Sequence, residues 1–182
     1  MKAITAFLCF VACLCSAAEF ELGTRGSLSL PIPSNWTIQK NEFFTTNGRV
    51  ELRLVLEAPA PLKGRCRVYV RETIRTQPSA EVAEMVVKFQ SALFRAFHAP
   101  GQSNIIRPMT VHSGYGAYTF SRVPPTSAFA RETGCKWIGI TSIVPNSYFY
   151  AYVQSEIDDP GGPESKAVFA MIQKMAVTLK GD

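Results

Sequence analysis

Two runs of strict alternation, 49–57 and 65–75, flank a proline-rich turn, and they limit the possible fold more than any other feature of the chain. In the first run Leu52, Leu54 and Leu56 fall on one face, and Glu51, Arg53, Val55 and Glu57 on the other. In the second, Cys66, Val68 and Val70 share a face, with Lys63, Arg65, Arg67, Tyr69 and Arg71 opposite them. A period of two is that of a half-buried strand. Centring the turn on Pro59-Ala60-Pro61 sets Glu57 opposite Arg65 and Glu51 opposite Arg71. Opposite charges across a strand pair stabilise an exposed sheet face by a few tenths to about 1 kcal/mol. The basic stripe therefore reads first as a solvated face and second as an anion-binding strip.

Other segments carry the same kind of signal. In "SLSLPIPSNWTIQ" the alternation of Leu28, Leu30 and Ile32 predicts a strand over 27–32. Pro31 lacks a ladder donor, so this strand belongs at an edge or is leaving the sheet. Pro33-Ser34-Asn35 is turn chemistry. A second strand follows over 36–39, with Trp36 anchoring the corner in the core.

Pro78 and Ser79 open a helix predicted over 79–97, with Glu81 and Glu84 in its first turns. Val82, Met85, Val86, Phe89, Leu93 and Phe97 recur at helical spacing and read as its core stripe. Strands are predicted over 104–112, 115–123, 135–144 and 148–156, with 124–134 a longer connection. A helix over 163–175 and an extended tail over 177–179 complete the chain. Strands joined by hairpins, and not by helical crossovers, predict an α+β fold with a largely antiparallel sheet and helices packed against it.

This order, with "LPIPSNWT" at the start, "SGYGAYTFSRV" in the second half and "YFYAYVQSE" before the last helix, resembles the PsbP-like group. That group comprises the extrinsic photosystem II subunit and its exported bacterial relatives of unknown role. The resemblance spans nearly all of residues 19–182. It implies an α/β/α sandwich around an antiparallel sheet, and it carries no catalytic or ligand residues onto this chain. Nothing in the N-terminus resembles a plastid transit peptide, so the photosynthetic role does not transfer.

The N-terminus has the layout of a secretory signal peptide over 1–18. Lys2 is followed by an apolar run from Ile4 to Leu14, then Ser16-Ala17-Ala18 before Glu19. Cys13 after Val11-Ala12 leaves a lipoprotein as an alternative, with Phe10 where Leu is expected. A single exported domain, periplasmic or secreted, is then expected over 19–182. No later run approaches the length of a membrane span. The net charge of +5, or +4 once Lys2 is removed, gives no reason to expect a nucleic-acid partner. Export and the even pair Cys66 and Cys135 predict a disulfide, which would close a loop of about seventy residues and contribute about 4 kcal/mol. Two separately buried thiols are the alternative.

Chemistry is sparse. The histidines are His98, which suits the C-terminal end of the first helix, and His112, which precedes Ser113. Val111 occupies the first glycine position of a nucleophile elbow, so "VHSGYG" does not match it. No HExxH, Walker loop, SxxK or CxxC within 19–182 is present, and neither cofactor nor metal is expected. Asp158-Asp159 before Gly161-Gly162 reads as turn chemistry in preference to a calcium loop.

Centring the last hairpin on Pro145-Asn146 gathers Trp137, Ile143, Tyr148, Tyr150 and Tyr152 on one face, with Ile138, Ile140, Phe149, Ala151 and Val153 as the core face. The tyrosine face is either covered by a helix or open as an aromatic contact surface. The function expected is a non-catalytic, exported accessory or binding domain that contacts a protein or an envelope component. A small secreted hydrolase using Ser113 and His112 is the alternative.

Overall fold

The structure is a computed structural model and describes residues 16–60, 64–73, 77–93 and 105–180. Its elements are β1 (Ser16–Glu21), β2 (Gly26–Ile32), β3 (Thr37–Thr46), β4 (Arg49–Glu57), β5 (Gly64–Glu72), α1 (Ala80–Leu93), β6 (Arg107–Met109), β7 (Tyr115–Arg122), α2 (Ala128–Thr133), β8 (Trp137–Val144), β9 (Phe149–Ile157), α3 (Pro163–Gln173) and β10 (Ala176–Leu179). The predicted end of the first helix with Phe97 and His98, and the leader as far as Cys15, lie outside the described residues.

The fold is α+β with antiparallel ladders, divided into two sheets. A three-stranded sheet has the order β1-β2-β10, and a seven-stranded sheet the order β3-β4-β5-β9-β8-β7-β6. The chain passes from one sheet to the other at the predicted corner. The Trp36 N–H donates to the Pro33 carbonyl at 2.9 Å, and the Trp36 side chain is buried. β2 is the middle strand of its sheet and not an edge, because β1 pairs with it on one side and β10 on the other, the latter only at Gly26 to Ser29. At Pro31 the sole partner is Ala17 of β1, so the missing N–H falls where one side of the strand is open.

β4 and β5 form in the register read from their charges: Glu51 opposite Arg71 and Glu57 opposite Arg65. β1, the extension of β3 to Thr46 and the short helix α2 are additions to the predicted elements. The start of β1, Ser16 to Ala18, pairs with Leu30 to Ile32, so cleavage before Glu19 would leave only Glu19 to Glu21 of this strand. α2 is capped locally: Ser127 Oγ accepts the Ala130 N–H at 3.0 Å, and Gly134 ends the helix at φ 69°.

Two cores lie on opposite faces of the larger sheet, built by different partners. One core joins Leu28 and Leu30 of β2, the leucines of β4, Val68 and Val70 of β5, and Val168, Met171 and Ile172 of α3. The other joins Ala83 and Val87 of α1 to Ala117, Ile138, Ile140 and Val144. Among the described residues α1 crosses β7 and β8, and no element covers the same face of β3, β4 and β5.

The orientation of α1 corrects the predicted stripe. Ser79 caps it as expected, with its Oγ accepting the Val82 N–H at 3.3 Å. The residues against the sheet, however, are Ala83, Val87, Gln90 and Ser91, while Met85, Phe89 and Leu93 are each 61% exposed. Ala83 brings the helix backbone close to the sheet: the Ser142 hydroxyl donates to the Ala83 carbonyl at 2.5 Å. A larger residue at this crossing would hold the two apart.

Candidate functional site

The uncovered part of the seven-stranded sheet and the flank of α1 beside it form the candidate site. The register builds the floor in rows. Glu42, Arg53, Tyr69 and Tyr152 line up across β3, β4, β5 and β9. The next row toward one end is Phe44, Glu51, Arg71 and Tyr150, and toward the other it is Lys40, Val55, Arg67 and Gln154. Glu57, Arg65 and Glu156 close the far end.

The charges of this floor are paired within it. Arg71 Nε lies 2.6 Å from Glu51 Oε2, and Arg53 also pairs with Glu51. Arg65 Nη2 donates to Glu57 at 2.7 Å. Arg67 pairs with Glu156, whose side chain is 4% exposed, and Arg65 Nη1 lies 4.0 Å from the same carboxylate. The four arginines of this lattice are thus each paired, against Glu51, Glu57 and Glu156, and do not make a bare anion strip. Tyr69 and Tyr152 stack, and the Arg71 guanidinium sits 5.6 Å from the Tyr152 ring centroid.

The lattice tunes its members. Burial alone would push the Arg71 pKa down, but its hydrogen bond with Tyr150 and the nearby Tyr152 and Glu51 hold it above the ordinary value. Burial pushes Glu51 up, and Arg53 and Arg71 more than reverse this, leaving its carboxyl below the usual range. Burial pushes the Tyr152 phenol up to about 12, with Arg71 acting in the opposite direction. None of these shifts places a group near neutrality, where acid–base catalysis would want it.

Where the lattice meets α1 there is a groove of about 300 Å³. Val82, Met85, Val86 and Phe89 form the helix wall, and Val144 and Tyr150 the sheet wall. Thr73, Gln90 and Asn146 add a few polar groups to this apolar lining. A small cavity with mostly apolar walls and a few polar groups suits one or two side chains of a partner.

The predicted aromatic face does not assemble. β8 and β9 pair Ile143 with Ala151 and Ser142 with Tyr152, three positions from the predicted register. An odd shift exchanges faces. Trp137 and Ile143 therefore join the face of Ala151 and Val153, while Tyr150 and Tyr152 join that of Ile138 and Ile140. The reason lies in the turn. Asn146 Oδ1 accepts the N–H groups of both Tyr148 and Phe149, at 2.9 and 3.0 Å, which keeps residues 145–148 out of the ladder.

Of the four named aromatics, Tyr150 lines the groove and Tyr152 lies in the lattice, whereas Tyr148 packs beside the first core cluster. Trp137 is half-buried beside Val123, Ala130 and Lys136, away from the groove. Tyr69, Arg71, Met85 and Phe89 join the site without having been expected there. The alternation of β5 carried the signal for the first two, and the exposure of the helix flank became visible only with the fold.

The other candidates are also placed. Cys66 and Cys135 are free thiols, Cys66 in the core with Val68 and Val70 and Cys135 in the cluster with Ile138 and Ile140. The predicted disulfide is absent because the seven-stranded sheet separates the two clusters. Burial pushes both thiols up, and Thr133 Oγ1 donates to Cys135 Sγ at 3.1 Å. His112 is exposed, and its backbone N–H donates to the Gln173 carbonyl at 2.8 Å. Asp159 Oδ1 accepts the Gly161 N–H at 2.9 Å, which is the turn role read from the sequence. Among the described residues no group of three or more His, Cys, Asp or Glu side chains could hold a metal ion. No described helix is long and apolar enough to cross a membrane. The chain matches no protein-family model and no curated protein.

Proposed function

We propose that this protein is an exported, non-catalytic binding domain that holds apolar side chains of a protein partner in the groove between α1 and the β5–β9 floor. The observation that carries this reading is the position of Met85 and Phe89, each 61% exposed, on the wall facing Tyr150. Large apolar residues gathered at a cleft mark an interaction site more often than scattered ones do. Pairing within the arginine lattice favours a polar rim around an apolar anchor over capture of a free anion.

Export rests on the signal-peptide layout of residues 1–18, with the periplasm or the extracellular space as the compartment. Helices on both faces of the larger sheet are compatible with the α/β/α arrangement of the PsbP-like group, in which we place the chain on its sequence pattern.

Selection of displayed peptides against the full chain tests the reading, with Phe89→Glu as the comparison. Apolar peptides that bind the parent and lose at least ten-fold affinity for a variant of unchanged melting temperature are expected. Peptides that bind both proteins equally, or a selection that enriches none, would overturn it.

A further inference from the structure

Among the described residues β3 is the longest strand, and it pairs on one side only, with β4. Its burial pattern is exposed nearly throughout, and it carries three large exposed apolar residues: Ile38 at 45%, Phe43 at 48% and Phe44 at 37%. The unpaired N–H and C=O groups of such an edge form a template for another strand. The opposite edge of the same sheet, β6, is only three residues long. Lys40 and the bulge at Gln39 are devices that commonly protect an edge, but here they also form part of a self-complementary pattern.

Facing follows from the register with β4. Lys40 and Glu42 lie on the face of Val55 and Arg53, whereas Ile38, Asn41 and Phe43 lie on the face of Leu56, Leu54 and Leu52. When a second β3 is laid antiparallel about a two-fold axis at Asn41, Lys40 of each copy falls opposite Glu42 of the other. Asn41 meets its own counterpart. The bulge takes Gln39 out of step, so Phe43 of one copy falls across from Ile38 of the other on the same face. Within one copy Lys40 Nζ already lies 3.2 Å from Glu42 Oε1, so the two copies join two such pairs into one alternating cluster of four charges on one face, and aliphatic matches aromatic on the other. Each match is made twice, because a two-fold interface uses one patch on both copies.

We propose that β3 is the interface strand of a homodimer, joining the seven-stranded sheets of two copies edge to edge about Asn41. This interface is separate from the groove beside α1 and stands whether or not the groove binds a partner.

Sedimentation velocity of the full chain over a concentration series is expected to show a monomer–dimer equilibrium. Lys40→Glu sets Glu opposite Glu in both symmetric pairs, and Glu42→Lys sets Lys opposite Lys. Each is expected to weaken the dimer by about ten-fold. The Lys40→Glu/Glu42→Lys double variant restores opposite charges and is expected to regain the parental dissociation constant. Asn41→Cys is expected to give an oxidised dimer in which peptide mapping finds position 41 of one copy joined to position 41 of the other, since directly opposed residues fall within disulfide reach. Four results would each overturn the proposal: a monomer at every concentration, a dimer indifferent to the single reversals, a double variant as weak as the singles, or an Asn41→Cys variant that never cross-links to its own copy through the new thiol.

Discussion

Tyr69 and Tyr152 stack with their ring centroids 4.5 Å apart and their planes within 11° of parallel. They are direct cross-strand partners in the β5–β9 ladder, and Tyr152 is 6% exposed. Its cover is the Tyr69 ring on one side and the Arg71 guanidinium on another. The centre of the open sheet face is therefore a buried Tyr152 stacked on a half-buried Tyr69 within a lattice of ion pairs.

Burial raises the Tyr152 phenol from its ordinary 10 to about 12. A raised folded value favours the neutral phenol, so its contribution to stability is complete below pH 10 and is lost as pH rises through about 12. Ultraviolet titration of the native protein is expected to show one late phenol that is missing in Tyr152→Phe. Completion of every tyrosine ionisation by about pH 11 would contradict this.

Arg67→Ala leaves the Glu156 carboxylate buried without its closest cation. Removing one partner of a buried pair costs about 3 kcal/mol, and here the residual pairing with Arg65 at 4.0 Å places the loss at or below that figure. Urea unfolding measures it. The Arg67→Ala/Glu156→Gln double variant is expected to recover part of the loss, because the uncompensated charge is gone.

Glu51 accepts two arginines, and its folded carboxyl lies below the ordinary 4.5. A depressed value stabilises the fold above 4.5, and that contribution is lost as pH falls through the folded value. Melting temperature followed from about pH 6 to about pH 3 is expected to fall less steeply in Glu51→Gln than in the parent. Parallel profiles would remove the lattice from any role in acid sensitivity.

Both described cysteines are expected to be alkylated when the purified chain is denatured without reductant. Peptide mapping should then find Cys66 and Cys135 each modified. A peptide pair joined through these two residues would show that they bridge in solution. In the native protein both thiols should react slowly, since each is buried and its pKa is raised.

Gly139 is directly opposite Phe120 across the β7–β8 ladder, and a Cβ placed on it would run into Ser155 Oγ and lie 2.6 Å from the Phe120 ring. Gly139→Ala is expected to destabilise the fold by about 1–3 kcal/mol, as overpacking does. An unchanged urea midpoint would show that Phe120 can give way.

Features held in short range were legible in the sequence: the corner at Trp36, the Ser79 cap, and the hairpin of β4 and β5 with Glu51 opposite Arg71. Alternation and turn chemistry are local, and a proline-rich turn flanked by matched charges leaves one register far better than the others. Local pattern was thus enough for an α+β chain of hairpins with one charged and one leucine-rich face on β4. Long-range packing settled what a period alone leaves degenerate. α1 has two apolar arcs, and the sheet took the small one, because Ala83 permits the backbone contact with Ser142 that Met85 or Phe89 would block. The turn before β9 held Tyr148 and Phe149 on the Asn146 side chain, and that displacement of three positions sent Trp137 to one face of the sheet and Tyr150 and Tyr152 to the other. The same sheet, with a core on each side, keeps Cys66 and Cys135 in different clusters. Which of two apolar surfaces is covered depends on the shape of its partner, and that partner is brought up by chain distant in sequence.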